Sequence, residues 1–253
     1  MQRVSRRNRA RASQNPRSRE ASRVSLEARA RVLALLLFLG SLPGCSDTPA
    51  SRSAQIQAWG RRGETRNAER IARSVSDPDR DVRIAALQAL ASIRAAEAEA
   101  SALTALADKD PQVRAAAVGC LAQLGAWARL PEISELFASD PAAGVRGQCV
   151  VFVQKSGADA ADELLATAVR DPDRAVRILA VRGLEGVDPL FAIDPLAGAV
   201  LQDSDWEVRA EAARVLGAAR RRDAAPALEA ALSDPNEFVR AAASAALKQL
   251  NRE

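Results

Sequence analysis

The chain has 253 residues, 48% of them hydrophobic but only 3% aromatic, with no tyrosine and no histidine. Lacking histidine, it has neither the commonest general base nor the commonest metal ligand, and a core this poor in rings calls for closely packed, alanine-rich helices. The formal charge of +4 is unevenly placed: residues 1–44 hold ten arginines against Glu20 and Glu27, leaving 26 basic and 30 acidic residues beyond. That balance gives the remainder no net attraction for a phosphate backbone, so nucleic-acid binding ranks last among the readings.

In chain order, the first feature after the arginine-rich stretch is Val32 to Leu42, an apolar run too short to cross about 30 Å of hydrocarbon as a helix. A basic region, a short apolar run and a small-residue end predict a secretory signal peptide over residues 1–44, with a long basic region that initiation at Val24 would shorten. Leu42-Pro43-Gly44-Cys45 resembles the lipobox of bacterial lipoproteins, with Pro43 in place of the usual small residue. That resemblance implies lipidation of the Cys45 thiol, cleavage before it, and, with Ser46 following, anchorage at the periplasmic face of the outer membrane in the bacterial cell envelope. Residues 45–55 then read as the lipidated cysteine and a short tether, the lipid being the chain's one membrane contact.

From residue 56 onward the chain repeats itself. Val-Arg pairs stand at Val82-Arg83, Val113-Arg114, Val145-Arg146, Val176-Arg177, Val208-Arg209 and Val239-Arg240, in steps of 31 and 32. Six residues before each arginine is an aspartate: Asp77, Asp108, Asp140, Asp171, Asp203 and Asp234. Proline follows it at Pro78, Pro141, Pro172 and Pro235. On a helical wheel Val82, Ala86, Leu87 and Leu90 share one wide apolar stripe, and Arg83 falls inside it. A buried guanidinium needs a partner, and helical side chains lean towards the N-terminus, so each arginine is expected to pair with the aspartate six residues before it. The aspartates also suit helix capping, the second acid of Asp-Pro-Asp being an alternative cap. Each copy reads as a first helix, an Asp-Pro turn and a second helix, roughly 64–75 and 79–93 in the first copy. Gly125, Gly157, Gly186 and Gly217 are placed as left-handed terminators.

So short a helical pair cannot bury its own stripe and must stack on its neighbours. The expected fold is all-α, an α-solenoid of about six stacked helical hairpins over residues 56–253. The pattern resembles HEAT-like repeats, in particular the alanine-rich subtype of phycobilin lyases. The resemblance implies second helices lining a concave side, and a fold that hosts scaffolds, lyase subunits, nucleic-acid binders and adaptors.

Chemistry is sparse. Cys149 occupies the small slot held elsewhere by Ala86, Ala117, Ala180, Ala212 and Ala243, so it and Cys120 are expected to be free structural thiols. No metal site, cofactor or catalytic constellation is assigned. Six repeated Asp-Arg pairs meet a packing need rather than a catalytic one. Open second-helix positions begin with Ala85, Gln88 and Ser92. Gln148, Val151, Leu179, Arg182, Glu211 and Arg214 form the central strip proposed to bind a partner, with Trp206 and Phe238 near the turns as aromatic anchors or simple packing. The reading is a monomeric, non-catalytic protein-interaction scaffold, with an enzyme or enzyme subunit of the lyase type as its chief rival.

Overall fold

The computed structural model describes residues 48–157 and 162–250; the signal peptide and Cys45 lie outside them. The helices are α1 (Pro49–Arg61), α2 (Ala68–Arg73), α3 (Arg80–Ser92), α4 (Ala98–Ala105), α5 (Pro111–Leu124), α6 (Leu130–Ser139), α7 (Ala143–Ser156), α8 (Asp162–Ala168), α9 (Arg174–Gly183), α10 (Pro189–Gln202), α11 (Trp206–Ala218), α12 (Ala225–Ala231) and α13 (Glu237–Leu250). From α2 onward they form six hairpins. The second helices α3, α5, α7, α9, α11 and α13 pack in succession to form one layer, each backed by the first helix of its own pair.

Local signals set the helix starts. Asp77 accepts the N–H of Asp79, and Asp79 then caps α3 by accepting from Asp81 and Val82. Asp110, Asp173 and Asp205 cap α5, α9 and α11 in the same way, and Asn236 accepts from Phe238 in the last copy, so the second polar residue is the cap. Ala142 supplies no side-chain cap to α7. The stripe is buried as its periodicity requires: Val82, Ala86, Leu87 and Leu90 are fully enclosed, as are Ala117, Cys149, Ala180, Ala212 and Ala243.

The arginine–aspartate rungs connect adjacent repeats, which corrects the expected pairing within one copy. Arg83 directs Nε and Nη2 to the carboxylate of Asp108 in the following repeat, at 2.8 and 2.9 Å. Its Nη1 donates to the backbone carbonyls of Asp77 and Pro78. The same fork joins Arg114 to Asp140, Arg146 to Asp171, Arg177 to Asp203 and Arg209 to Asp234, at 2.6–2.7 Å for Nε. Each arginine therefore clamps its own turn by the backbone and the next turn by the side chain. Arg240 ends the ladder, bonding the carbonyls of Asp234 and Pro235 with no carboxylate at its fork among the described residues.

At the other end the ladder has a rung that the repeat phrase did not reveal. Arg52 on α1 holds Asp77 through Nε and Nη2 at 3.0 and 3.1 Å. Thus α1 takes the place of a second helix ahead of the first hairpin, and residues 49–55, expected to be tether, are helical. It also buries Ala85, which was expected to be open. Gly60 makes this possible, because a Cβ there would stand 2.9 Å from the Ala89 Cα.

Gly125 and Gly157 do end helices in the left-handed region, with φ of 73° and 59°. Gly217 does not, and Gly186 lies in a 3₁₀ turn, Leu184–Gly186. Gly217 is inside α11, where a Cβ would lie 2.6 Å from the Ala246 Cβ on α13; Arg220, at φ 51°, takes the left-handed position instead. Close approach of α11 and α13, rather than chain reversal, demands glycine there. Gly217→Val is expected to destabilise the chain by about 2–3 kcal/mol in urea unfolding. Gly144→Ala, with open space at its Cβ, should be neutral or up to about 1 kcal/mol stabilising.

Candidate functional site

Along the layer of second helices, α9, α11 and α13 border a groove of about 390 Å³. Its floor is small and apolar, from Ala210, Ala242, Ala245 and Ala246 with Ile178, because the repeat places alanine where neighbouring helices come closest. One wall is charged. Arg182 Nε donates to Glu211 at 2.8 Å, and Arg214 reaches both Glu211 at 3.2 Å and Glu185 at 2.9 Å. Burial pushes the Glu211 carboxyl up, but Arg214 and Arg182 outweigh it and hold the group below the usual carboxylate range. Arg214 holds Glu185 down likewise, and is itself pushed up by the two carboxylates. Glu185, Glu211 and Arg214 stay ionised near neutrality, and with Arg182 they form a fixed lattice of charge rather than a proton donor.

The other wall carries Trp206, whose ring stacks on Phe238 with centroids 5.3 Å apart and planes 29° apart. Both rings remain open to solvent, Trp206 at 38% and Phe238 at 58%. Packing between turns and exposure therefore coexist. Their position explains this: each stands at the first turn of a second helix, beside a capping residue and beyond the buried stripe. Two other tryptophans pack away from the groove, Trp127 meeting Phe152 edge-on at 5.1 Å and Trp59 lying under Arg70 at 5.1 Å.

Of the proposed strip, the structure brings Arg182, Glu211 and Arg214 together. Gln148 lines a separate groove with Gln88, Gln112 and Gln123. Leu179 packs half-buried near Gly147, and Val151 is half-buried and borders neither groove. Glu185 was missed, since it sits in a 3₁₀ turn off the helical wheel; its separation of 29 residues from Arg214, matching that of Arg182 from Glu211, was the available signal.

Cys120 and Cys149 are free and buried, and burial pushes each thiol up to about 12, so neither is a ready nucleophile. Among the described residues no group of three or more cysteines or acids is placed to hold a metal. No helix among them is long and apolar enough to cross a membrane.

A ladder of interlocked hairpins with an open groove along one layer defines an α-solenoid of the repeat-scaffold class. The chain belongs to the HEAT-repeat family, whose model matches residues 67–151 and 161–250. No curated protein sequence matches it. Among solved structures, an engineered protein is similar at 16% identity over 85% of this chain and 67% of its own, with a TM-score of 0.56. A designed armadillo repeat protein in complex with the peptide (KR)4 is similar at 21% identity, covering 72% and 98%, with a TM-score of 0.52. Human deoxyhypusine hydroxylase in complex with glycerol is similar at 21% identity over 90% and 91%, with a TM-score of 0.45. At such identities the first two likenesses bear on the fold alone.

Proposed function

We propose that this chain is a non-catalytic protein-interaction scaffold, lipid-anchored through Cys45 in the bacterial cell envelope. The observation that carries the binding reading is the groove on α9, α11 and α13. It combines an exposed aromatic pair, an apolar floor and oriented guanidinium groups, the composition that concentrates binding energy at protein interfaces. Arg182 spends Nε on Glu211 while its side chain stays 58% exposed, which suits a partner segment with an acidic residue beside an apolar anchor. The deeply buried thiols and the paired state of the groove's charges favour binding over turnover.

Anchorage rests on the sequence from Val32 to Ser46. Helix α1 starts at Pro49, and the three residues from Ser46 to Thr48 can span at most about 10 Å of chain. The solenoid would ride close to the membrane rather than on a long leash.

Radiolabelled palmitate incorporation with membrane fractionation tests the anchor, and Cys45→Ser should abolish the label. Crosslinking in intact cells, followed by mass spectrometry, tests the groove. Trp206→Ala combined with Arg182→Ala should remove the crosslinked partner while lowering the unfolding midpoint only modestly, since Arg182 is 58% exposed and Trp206 gives up chiefly its stacking on Phe238. A turnover defect traced to one or two groove residues would instead establish the enzyme reading.

A further inference from the structure

The excess of acidic over basic residues hides an asymmetry. Residues 48–75 hold six arginines against Glu64 and Glu69, whereas residues 76–250 hold 19 basic against 26 acidic residues. Arg52 is committed to Asp77, but the other five, Arg61, Arg62, Arg66, Arg70 and Arg73, are all exposed around the turn from α1 into α2. Glu64 serves both Arg62 and Arg66, at 3.6 and 3.4 Å, and so leaves this end electropositive. Arg70 is spread over the Trp59 ring, which holds it at the surface. Elsewhere many arginines stand in rungs or beside acids, as Arg221 does with Asp223 at 2.7 Å.

We infer that this end of the solenoid is a docking face for an anionic phospholipid surface. Guanidinium groups clustered without matching carboxylates bind phosphate oxygens through paired N–H donors, and several near one surface act together. The site begins 16 residues after Cys45. Helix α1 runs about 20 Å between its start and Arg61, so anchor and patch touch one membrane only if α1 lies along the surface. A basic patch beside an acyl anchor is the pairing that converts marginal into stable membrane residence. The inference concerns the arginines alone and stands without lipidation of Cys45.

The test is partitioning into vesicles of the mature chain from residue 46 onward, which carries neither an acyl chain nor the arginines of residues 1–44 to mask the difference. Vesicles of phosphatidylglycerol with phosphatidylethanolamine are compared with phosphatidylcholine. Arg61→Gln/Arg62→Gln/Arg66→Gln should lower partitioning into the anionic vesicles by roughly 100-fold, at on the order of five-fold per arginine, and raised salt should erase the difference. The corresponding lysine triple variant should retain most of the binding. Arg220→Gln/Arg221→Gln/Arg222→Gln, the same change of net charge at the far end, should leave it unaltered. Equal partitioning of the first variant and the parent overturns the proposal, as does an equal loss from the far-end variant. Oligonucleotide binding lost with the same three arginines, without vesicle partitioning, assigns the patch to nucleic acid and also overturns it. Unchanged unfolding midpoints show that each variant is folded.

Discussion

Truncating Asp171 to alanine is expected to destabilise the chain by about 3–5 kcal/mol, the range for removing one partner of a buried ion pair. Asp171 accepts Nε and Nη2 of Arg146 at 2.7 and 2.8 Å and the N–H of Asp173 at 2.8 Å, and its side chain is only 2% exposed. Its loss strands a guanidinium that is 12% exposed between α7 and α9. Position in the array then decides how far the damage spreads. In a solenoid, stability is a sum of repeat and nearest-neighbour terms, so a broken central rung separates two blocks whereas a broken terminal one frays a single hairpin. Asp234→Ala should therefore cost less than Asp171→Ala. Replacing both partners, Arg146→Met with Asp171→Ala, should recover much of the loss by removing the stranded charge. Urea unfolding followed by circular dichroism measures all three. A double variant as unstable as the two single changes added together would show instead that the two side chains are not coupled, each loss arising from its other contacts.

The rung also shows why the sequence was legible in one respect and silent in another. Helix positions, the buried stripe and the need for an arginine partner all follow from periodicity, and they are where the periodicity puts them. Which aspartate partners which arginine does not follow. With a repeat of 31 or 32 residues, an aspartate six before each arginine is also 25 or 26 after the preceding one, so one spacing encodes two pairings. Only the fold shows that the side chain reaches forward, as Arg83 does to Asp108, while Nη1 holds its own turn.

The leading half-repeat was hidden for a different reason. Arg52 lies 31 residues before Arg83, and buried Ile56 lies 31 before Leu87, in register. Yet Ser51 replaces the valine and Gln55 the alanine, which breaks the apolar phrase while preserving the ionic one. Gly217 was misread because glycine at a helix end and glycine at a helix crossing look alike until the neighbouring Ala246 is known. In the groove, wheel positions identified Arg182, Glu211 and Arg214, but Glu185 sits in a turn that no helical period describes, and the stacking of Trp206 on Phe238 depends on how the first turns of α11 and α13 are set beside each other.

Acid should unfold the chain steeply, because its ladder is made of carboxylates that folding keeps ionised. Burial pushes the Asp77, Asp108, Asp140 and Asp171 carboxyls up, but their arginines and the N–H two residues onward outweigh it and hold each below its ordinary value. For Asp234 the hydrogen bond from Arg209 is the leading influence, again downward. As pH falls past about 4, the unfolded chain takes up protons that the folded chain still refuses, so the stability these groups contribute is complete above that point and is lost on descending through their folded values. Five such groups give a slope of up to about 7 kcal/mol per pH unit, at about 1.4 for each proton, against a total stability of about 5–15 kcal/mol. Glu211 acts in the same direction, and Glu185 likewise but less, being 45% exposed at the groove. Arginine remains charged throughout, so no matching loss arises from the guanidinium side. Urea midpoints measured downward from neutral pH should fall sharply below about pH 4. Asp171→Asn, already weaker at neutrality, should show a shallower acid limb, by about one proton's share. A limb equally steep in that variant would mean that the proton uptake comes from carboxylates outside the ladder.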